Sequence, residues 1–369
     1  MGMRYIWELE QWPAIGWEDT SLSPLLAKVS RDQGRLLGKM DEIGFDLRSV
    51  AHLHTLTADV IKSSEIEGEH LPRDQVRSSI ARRLGLDVGG LVPAGRDVEG
   101  VVEMMTDATI NYEQPLTAER LFAWHAALFP TGRSGMNKIV VGQWRQGPIQ
   151  VVSGPIGRER THFDAPPAGS LDAEVGRFLG WFDDTASIDP LLAAGLAHFW
   201  FVTIHPFDDG NGRIARAITD MALARAEGSP QRFYSMSSQI RSQRNDYYAI
   251  LETTQKSGPD ITGWQEWFLR CLHSAIEGAE GIVGQVLAKS RFWQRFAVES
   301  LNQRQIKVLN RLLDGFEGQL TSSKWAKLAG CSQDTAHRDI TDLIGRAALK
   351  KEPGGGRSTS YSLVVDDGE

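Results

Sequence analysis

Apolar residues recur at three- and four-residue spacing over most of the chain, the pattern of amphipathic helices. From 21 to 48 the stripe runs through Leu22, Leu25, Leu26, Val29, Leu36, Leu37 and Met40, and this helix is expected to end near Gly44. A second is expected from Leu47 to Ser64, with Leu53, Leu56, Val60 and Ile61 on one face. The same spacing predicts helices over 73–85, 97–112, 116–129, 170–184, 190–204, 212–227 and 260–297, and another starting near Ser242. Leu121, Trp124, His125 and Leu128 share a stripe, so His125 reads first as a core histidine. Asp87 to Arg96, rich in Gly and Pro, reads as a loop.

The pattern changes in two places. Between 137 and 167, β-branched residues (Ile139, Val140, Val141, then Ile149, Val151, Val152) surround turns at Gly147-Pro148 and Gly154-Pro155. They predict a short β-hairpin or flap, followed by an extended tail, HFDAPPAG. From 301 to 365 three short helices are expected, the first closed by Gly315, then a strand, a glycine-rich turn and a strand. The fold class is therefore mainly α with a small β flap. Ahead of it all, Trp7, Trp12 and Trp17 mark an aromatic arm expected to dock on the body of the protein.

Composition narrows the classes. The 369 residues, 41% apolar and 24% charged, can bury a large core and suggest two or three domains. A net charge of −7 argues against a basic surface over the whole protein, so DNA could engage only a local patch. Cys271 and Cys331 have neither metal-site spacing nor a disulfide framework, which favours a reduced, cytoplasmic setting. MGMRYIWELEQWP lacks a signal-peptide pattern, Ile6 stands where a myristoylation site needs Ser or Thr, and no apolar run is long enough to span a membrane.

Candidate chemistry concentrates in residues 205 to 216, HPFDDGNGRIAR. The glycines can turn backbone N–H groups toward an anion, and a helix starting there adds donors and the positive end of its dipole. Arg213 and Arg216, three apart, offer forked donors from one face. Neutral imidazole at His205 suits acceptance of a hydroxyl proton, and Asp209 could hold Mg²⁺ beside phosphate oxygens. These parts suit displacement at phosphorus, which depends on positioning and charge neutralisation. Further upstream, Glu67 precedes the helix-stop glycine Gly68 and reads first as a solvated carboxylate.

HPFDDGNGRIAR resembles the active-site motif of the Fic (Fido-fold) family, HxFx(D/E)GNGRxxR, at every fixed position, and the resemblance covers roughly residues 115 to 275. It implies a Fido helical core with a hairpin flap, which transfers a nucleoside monophosphate, usually AMP from ATP, to a hydroxyl of a target protein. By position, His205 would be the base, Phe207 a hydrophobic anchor, and Asp209 the Mg²⁺ ligand. Gly210, Asn211 and Gly212 would form the anion hole, with Arg213 and Arg216 on the polyphosphate. Val151, Val152, Ser153, Gly154 and Pro155 would align the target by strand pairing. Tyr247 and Tyr248 match a tyrosine pair near the nucleotide, whereas Gln255 replaces an asparagine found in relatives. Asp208 falls at a variable position.

Many members carry an inhibitory helix with the pattern (S/T)xxxE(G/N), which Ser63 to Gly68 fits. The resemblance then implies that Glu67 pairs with Arg216 and blocks a productive γ-phosphate pose. The flanks resemble a subgroup with a C-terminal winged helix-turn-helix. The implied domains are an N-terminal helical region (1–112), the catalytic domain (113–298) and the winged helix (299–369). Over residues 301–369, ten Lys/Arg against nine Asp/Glu are close to balance, with Arg338 on the third helix and Lys350, Lys351 and Arg357 on the wing. The expected function is a self-inhibited protein adenylyltransferase acting on a Ser, Thr or Tyr hydroxyl of a target protein and on itself. A homodimer is compatible with the helical faces, and DNA could bind the C-terminal domain. The alternatives are a DNA-binding regulator with the core as nucleotide sensor, or a Fic enzyme that removes AMP or transfers another phosphate-containing group.

Overall fold

The computed structural model describes residues 5–42, 45–86, 90–155, 157–296, 301–313, 316, 318–353 and 359–364. Gly44, Asp87, Gly315 and Arg357, named above, lie outside them. The chain forms two compact units, Met1–Glu280 and Gly281–Glu369.

The first unit is mainly helical. In chain order it contains α1 (Asp19–Glu42), α2 (Phe45–Ile66), α3 (Arg73–Arg83), α4 (Arg96–Ile110) and α5 (Ala118–Leu128). The minimal pairs β1 (Arg133–Ser134) with β2 (Asn137–Lys138) and β3 (Gln150–Ser153) with β4 (Arg160–Asp164) follow. After them come α6 (Leu171–Phe182), α7 (Pro190–Ile204), α8 (Asn211–Glu227), α9 (Met236–Ser242), α10 (Arg244–Gln255) and α11 (Thr262–Arg295), the last of which continues past residue 280. Asp189 caps α7 by accepting from the Leu191 N–H at 2.9 Å, and Pro190 fills the first turn, where its missing donor costs nothing. Every residue of α7 from Leu191 to Ile204 is buried, so this helix is the centre of the core and packs against α8. Among the described residues no helix is long and apolar enough to cross a membrane.

The tryptophan arm is docked by its indole N–H groups. Trp7 donates to the Asp164 carbonyl and Trp12 to the Glu174 carboxylate, both at 2.8 Å, so the half-buried Trp7 ring and the buried Trp12 ring both keep a partner for their donor.

Two expectations need correction. Ile139 to Val141 lie outside any strand; the Val140 N–H bonds to a side chain, Asp208, instead of a ladder. The partner of β3 is the supposed extended tail, in which His162, Phe163 and Asp164 belong to β4, with a bulge between Val151 and Val152. The helix expected near Ser242 is α10, which starts at Arg244; the short α9 before it, ending at Ser242, was not expected.

The second unit contains α12 (Gln303–Leu313), β5 (Leu320–Thr321), α13 (Ser322–Ala329), α14 (Gln333–Gly345), β6 (Leu349–Lys351) and β7 (Ser360–Leu363). Its strands form an antiparallel sheet in the order β5-β7-β6, and the sequence pattern had not pointed to β5. Trp325, Val308, Leu309, Ile340 and Leu343 are its core. Arg338 on α14 and Lys350 and Lys351 on β6 are exposed.

Candidate active site

The turn between α7 and α8 is built to expose one imidazole. His205 ends α7 in the left-handed region (φ 51°), which swings its ring out of the helix. Its Nδ1 lies 3.1 Å from the Val202 carbonyl. A carbonyl only accepts, so Nδ1 carries the proton and Nε2 presents its lone pair. Burial lowers the pKa of His205 from 6.5 to about 4; the Val202 hydrogen bond opposes the shift and the nearby Arg145 charge adds to it. The ring is a neutral base across the physiological range.

Five side chains fix the turn beneath it. Asn211 closes the loop on itself: Oδ1 accepts from the Phe207 N–H at 3.0 Å and Nδ2 donates to the Phe207 carbonyl at 2.8 Å. Phe207, fully buried, stacks on His125 with ring centroids 4.2 Å apart. His125 accepts from the Gly142 N–H at Nδ1, which leaves Nε2–H to donate to the Asp209 carbonyl at 3.2 Å. It is a core histidine, and it holds the motif in place. Arg145, 2% exposed, donates to the carbonyls of His205 (2.8 Å), Gly147 (2.8 Å) and Pro166 (2.5 Å), joining the base to both ends of the flap. Asp208 accepts from the Val140 N–H at 2.8 Å.

Gly210 takes φ 82°, and a Cβ there would come within 2.9 Å of Phe129. Asp209 accepts from the Ser134 hydroxyl and from the Gly210 N–H. Among the described residues no cluster of three or more His, Cys, Asp or Glu could hold a metal alone. A single carboxylate is nonetheless the donor set that Mg²⁺ uses when phosphate oxygens and water complete its shell.

Facing the motif is the end of α2. Residues 59, 63 and 67 follow one another at four-residue spacing on the α2 side, as do 220, 216 and 212 on α8. Ser63 Oγ accepts from Arg216 Nε at 2.8 Å, and the Ser63 carbonyl accepts from Nη2 at 2.9 Å. Glu67 Oε1 accepts from the same Nη2 at 2.7 Å and lies against Gly212, where a Cβ would overlap it. The turn after α2 is completed by Gly68 at φ 86°. Next to this pair, Glu69 Oε2 accepts from Arg213 Nη1 at 2.6 Å, and the Arg213 guanidinium lies 5.0 Å over the Phe129 ring. Even so, Arg213 Nε and Arg216 Nη1 remain buried without a hydrogen-bond partner. Unspent donors on two buried arginines at a helix N-terminus favour an anion with several oxygens.

The tyrosine pair divides. Thr219 donates to the Ala215 carbonyl and so accepts from His198 Nδ1, which leaves His198 Nε2 to accept the Tyr247 hydroxyl at 2.9 Å. Tyr247 is thus core, its ionisation suppressed by burial. Tyr248 is 37% exposed, with Arg244 stacked 5.2 Å over its ring. Gln255 is buried and donates to the Thr203 hydroxyl at 3.2 Å. On the flap, Val151 is half-buried while Val152, Ser153, Gly154 and Pro155 are exposed, and β3 pairs with β4 in a two-stranded sheet.

Sequence reasoning missed Arg145, Asp208, Ser134 and Glu69. A local signal existed for Glu69 alone, two residues past Glu67. The other three act across 60 to 75 residues of chain.

The Fic/DOC family model matches residues 115–223, and a model described as "Domain of unknown function (DUF4172)" matches 5–86. A protein adenylyltransferase Fic of Drosophila willistoni is 25% identical over 222 residues, 59% of this chain and 40% of that protein. A uridine 5'-monophosphate transferase of Xanthomonas campestris pv. campestris (strain 8004) is 32% identical over 118 residues, 30% of this chain and 21% of the relative. The chain therefore spans well under half the length of these relatives. A Fic family protein from Desulfovibrio desulfuricans G20 has the same fold, with TM-score 0.51, 20% identity and coverage of 94% of this chain and 97% of that one. Together with the motif turn described above, these matches support membership of the Fic/Fido family.

Proposed function

We propose that this protein is a self-inhibited protein adenylyltransferase, which moves AMP from ATP to a hydroxyl of a target protein. The observation that carries the reading is Arg216. It is buried, bound by Ser63 and Glu67 on one side, and still has an unpartnered Nη1 on the other.

In this reading His205 Nε2 takes the proton of the acceptor hydroxyl as its oxygen bonds to the α-phosphorus. The N–H groups of Gly210 to Gly212 and the guanidinium of Arg213 hold the phosphate oxygens. Asp209 would hold Mg²⁺, which supplies further neutralisation of phosphate charge. The free edge of β3 presents backbone groups to which a target segment can pair. Glu67 occupies the place on Arg216 that a γ-phosphate would take, so the same arginine binds either its inhibitor or its substrate. An arginine–carboxylate hydrogen bond worth about 1.5–3 kcal/mol biases two ATP poses by tenfold or more.

The expected outcome is that Glu67→Gly raises transfer from α-labelled ATP by at least tenfold. His205→Ala in that background should abolish labelling of target proteins, and target labelling that survives loss of His205 would sink the assignment. The relative named as a UMP transferase favours one variant of the reading, with a different nucleotide. The mass of the adduct on the target decides between AMP and UMP.

A further inference from the structure

The flap carries a second set of reactive groups that the motif chemistry does not use. Ser153 on β3 places Oγ 2.6 Å from Nε2 of His162 on β4, and His162 Nδ1 lies 2.6 Å from Oε2 of Glu252 on α10. Partial burial pushes Glu252 up, but hydrogen bonds from Lys256, His162 and Arg160 outweigh it and bring the carboxyl down to about 2. An ionised carboxylate only accepts, so His162 Nδ1 carries the proton and Nε2 accepts from the Ser153 hydroxyl. Nucleophile, base and orienting carboxylate therefore stand in the order that activates serine hydroxyls elsewhere.

Two observations say what such a serine can do. Residues 152–155 and 157–160 are exposed, so the described residues form no enclosed cleft around Ser153 to hold an ester through repeated turnover. An open position suits a hydroxyl that accepts a group once. Glu252 also follows Tyr248 by four residues on α10, and so lies one helical turn along the same face. Tyr248 lies within the field of the Glu67 and Arg216 charges. The relay is thus one turn from the side chain that borders the nucleotide-site candidates.

We propose that Ser153 is a modification site of this protein, an activated hydroxyl that accepts an adenylyl group from ATP with His162 as its base and Glu252 as the group that orients the base. This rests on the nucleotidyl-transfer reading above. Ser153 Oγ bonds to the α-phosphorus, the bond from that phosphorus to the bridging oxygen of the leaving pyrophosphate breaks, and the hydroxyl proton passes to His162 Nε2. The product is an AMP diester on Ser153. Its negative charge lies beside Arg160, the register partner of Ser153.

The test incubates the full Glu67→Gly chain with ATP and Mg²⁺ in cell lysate and maps every adduct by mass spectrometry. In parallel, the chain without ATP is treated with a fluorophosphonate, which reports serine nucleophilicity independently of nucleotide binding. AMP is expected on Ser153, and His162→Ala should slow both its formation and fluorophosphonate labelling by about 10²-fold or more, the range of a lost general base. Glu252→Gln should slow both by a smaller factor. AMP on a lysate protein or another residue with Ser153 bare overturns this inference and leaves the motif reading intact. An adduct on Ser153 that forms equally fast without His162 overturns the relay. No adduct on any protein defeats the motif reading, and the Ser153 assignment falls with it.

Discussion

Glu67 lies over Gly212 so closely that a Cβ at position 212 would overlap its carboxylate oxygen, the same oxygen that Arg216 holds at 2.7 Å. A glycine read from the motif as an anion hole is therefore also the seat of the chain's own carboxylate. The two residues should be energetically coupled. Gly212→Ala is expected to destabilise the parent protein but to cost about 1–3 kcal/mol less in a Glu67→Gly background, the size of coupling found between residues in contact. Urea denaturation of the four proteins checks it, and simple additivity would contradict the contact.

Removing Glu67 alone leaves Arg216 buried with the Ser63 hydroxyl and carbonyl as its remaining partners. The Glu67 side chain is 30% exposed, so the loss is smaller than for a fully buried pair, about 1–2 kcal/mol. The melting temperature of Glu67→Gly should fall without nucleotide and recover with saturating ATP, because the phosphates replace the missing carboxylate. The parent protein should gain less from ATP than the variant does.

Arg145 is expected to matter as much as the motif residues. Arg145→Ala frees the carbonyls of His205, Gly147 and Pro166 at once, and orphaned buried acceptors cost about 1–3 kcal/mol each. Because the His205 carbonyl is one of the three, the imidazole should shift. In the Glu67→Gly background, transfer should drop by about 10²-fold, the loss that follows misplacement of a reacting group by about 1 Å. Arg145→Lys should rescue little, since one ammonium cannot span three carbonyls in the guanidinium's geometry. A fall confined to KM would argue for a role in substrate binding instead.

Arg145 also shows where the sequence stops being informative. The motif, the Ser63–Gly68 pattern and the order of the helices were legible because each is local: a spacing of three or four, a cap, a glycine stop. The contact of Glu67 with Arg216 was reachable through the spacing of the motif and its resemblance. Arg145 sits in WRQGP, where nothing local distinguishes it from a surface arginine, and its partners arrive only when the flap folds back on the α7–α8 turn. Val140 misled for a related reason. β-branching suggested a strand, but tertiary structure gave its N–H to Asp208. The Tyr247–Tyr248 pair was ambiguous until His198 and Thr219 settled which tyrosine is core.

Four histidines set an acid limit on stability. Burial lowers His52, His125 and His205 to about 4 and His198 to about 3. In the unfolded chain each protonates near 6.5. Below that value the unfolded state binds more protons than the folded one, so stability is complete above pH 6.5 and declines as pH falls toward 4. A tenfold difference in proton affinity between the two states is worth about 1.4 kcal/mol for each imidazole, so several kcal/mol should disappear across this window. A series of melts from pH 7.5 to 4.5 should show it, and His125→Gln should flatten the slope. A flat profile would mean that these imidazoles already carry charge in the fold.

The far end of the α2–α8 ladder makes the opposite prediction. Asp220 on α8 is buried, and burial first and the Asp59 carboxylate on α2 second raise its pKa well above 3.8. Arg232, 3.8 Å away, opposes the shift but is already engaged by Glu227 at 2.7 Å. Asp59 Oδ1 accepts from Ser235 and from the Ser237 N–H, while its Oδ2 is buried without a partner. A proton on Asp220 would supply that missing donor. With a raised folded pKa, the contribution of Asp220 is complete below 3.8 and is lost as pH rises. Asp220→Asn keeps a donor for Asp59 at every pH. It should therefore stabilise the protein at pH 7 to 8, with the gain vanishing toward pH 4. If Asp220 instead serves as the ionised partner of Arg232, the same substitution should destabilise by about 3–5 kcal/mol, the loss from a broken buried pair. Asp59, Ser63 and Glu67 form one stripe, so a firmer hold at Asp220 should keep Glu67 on Arg216. Labelling by the Asp220→Asn protein should then fall relative to the parent, whereas a loosened ladder would raise it.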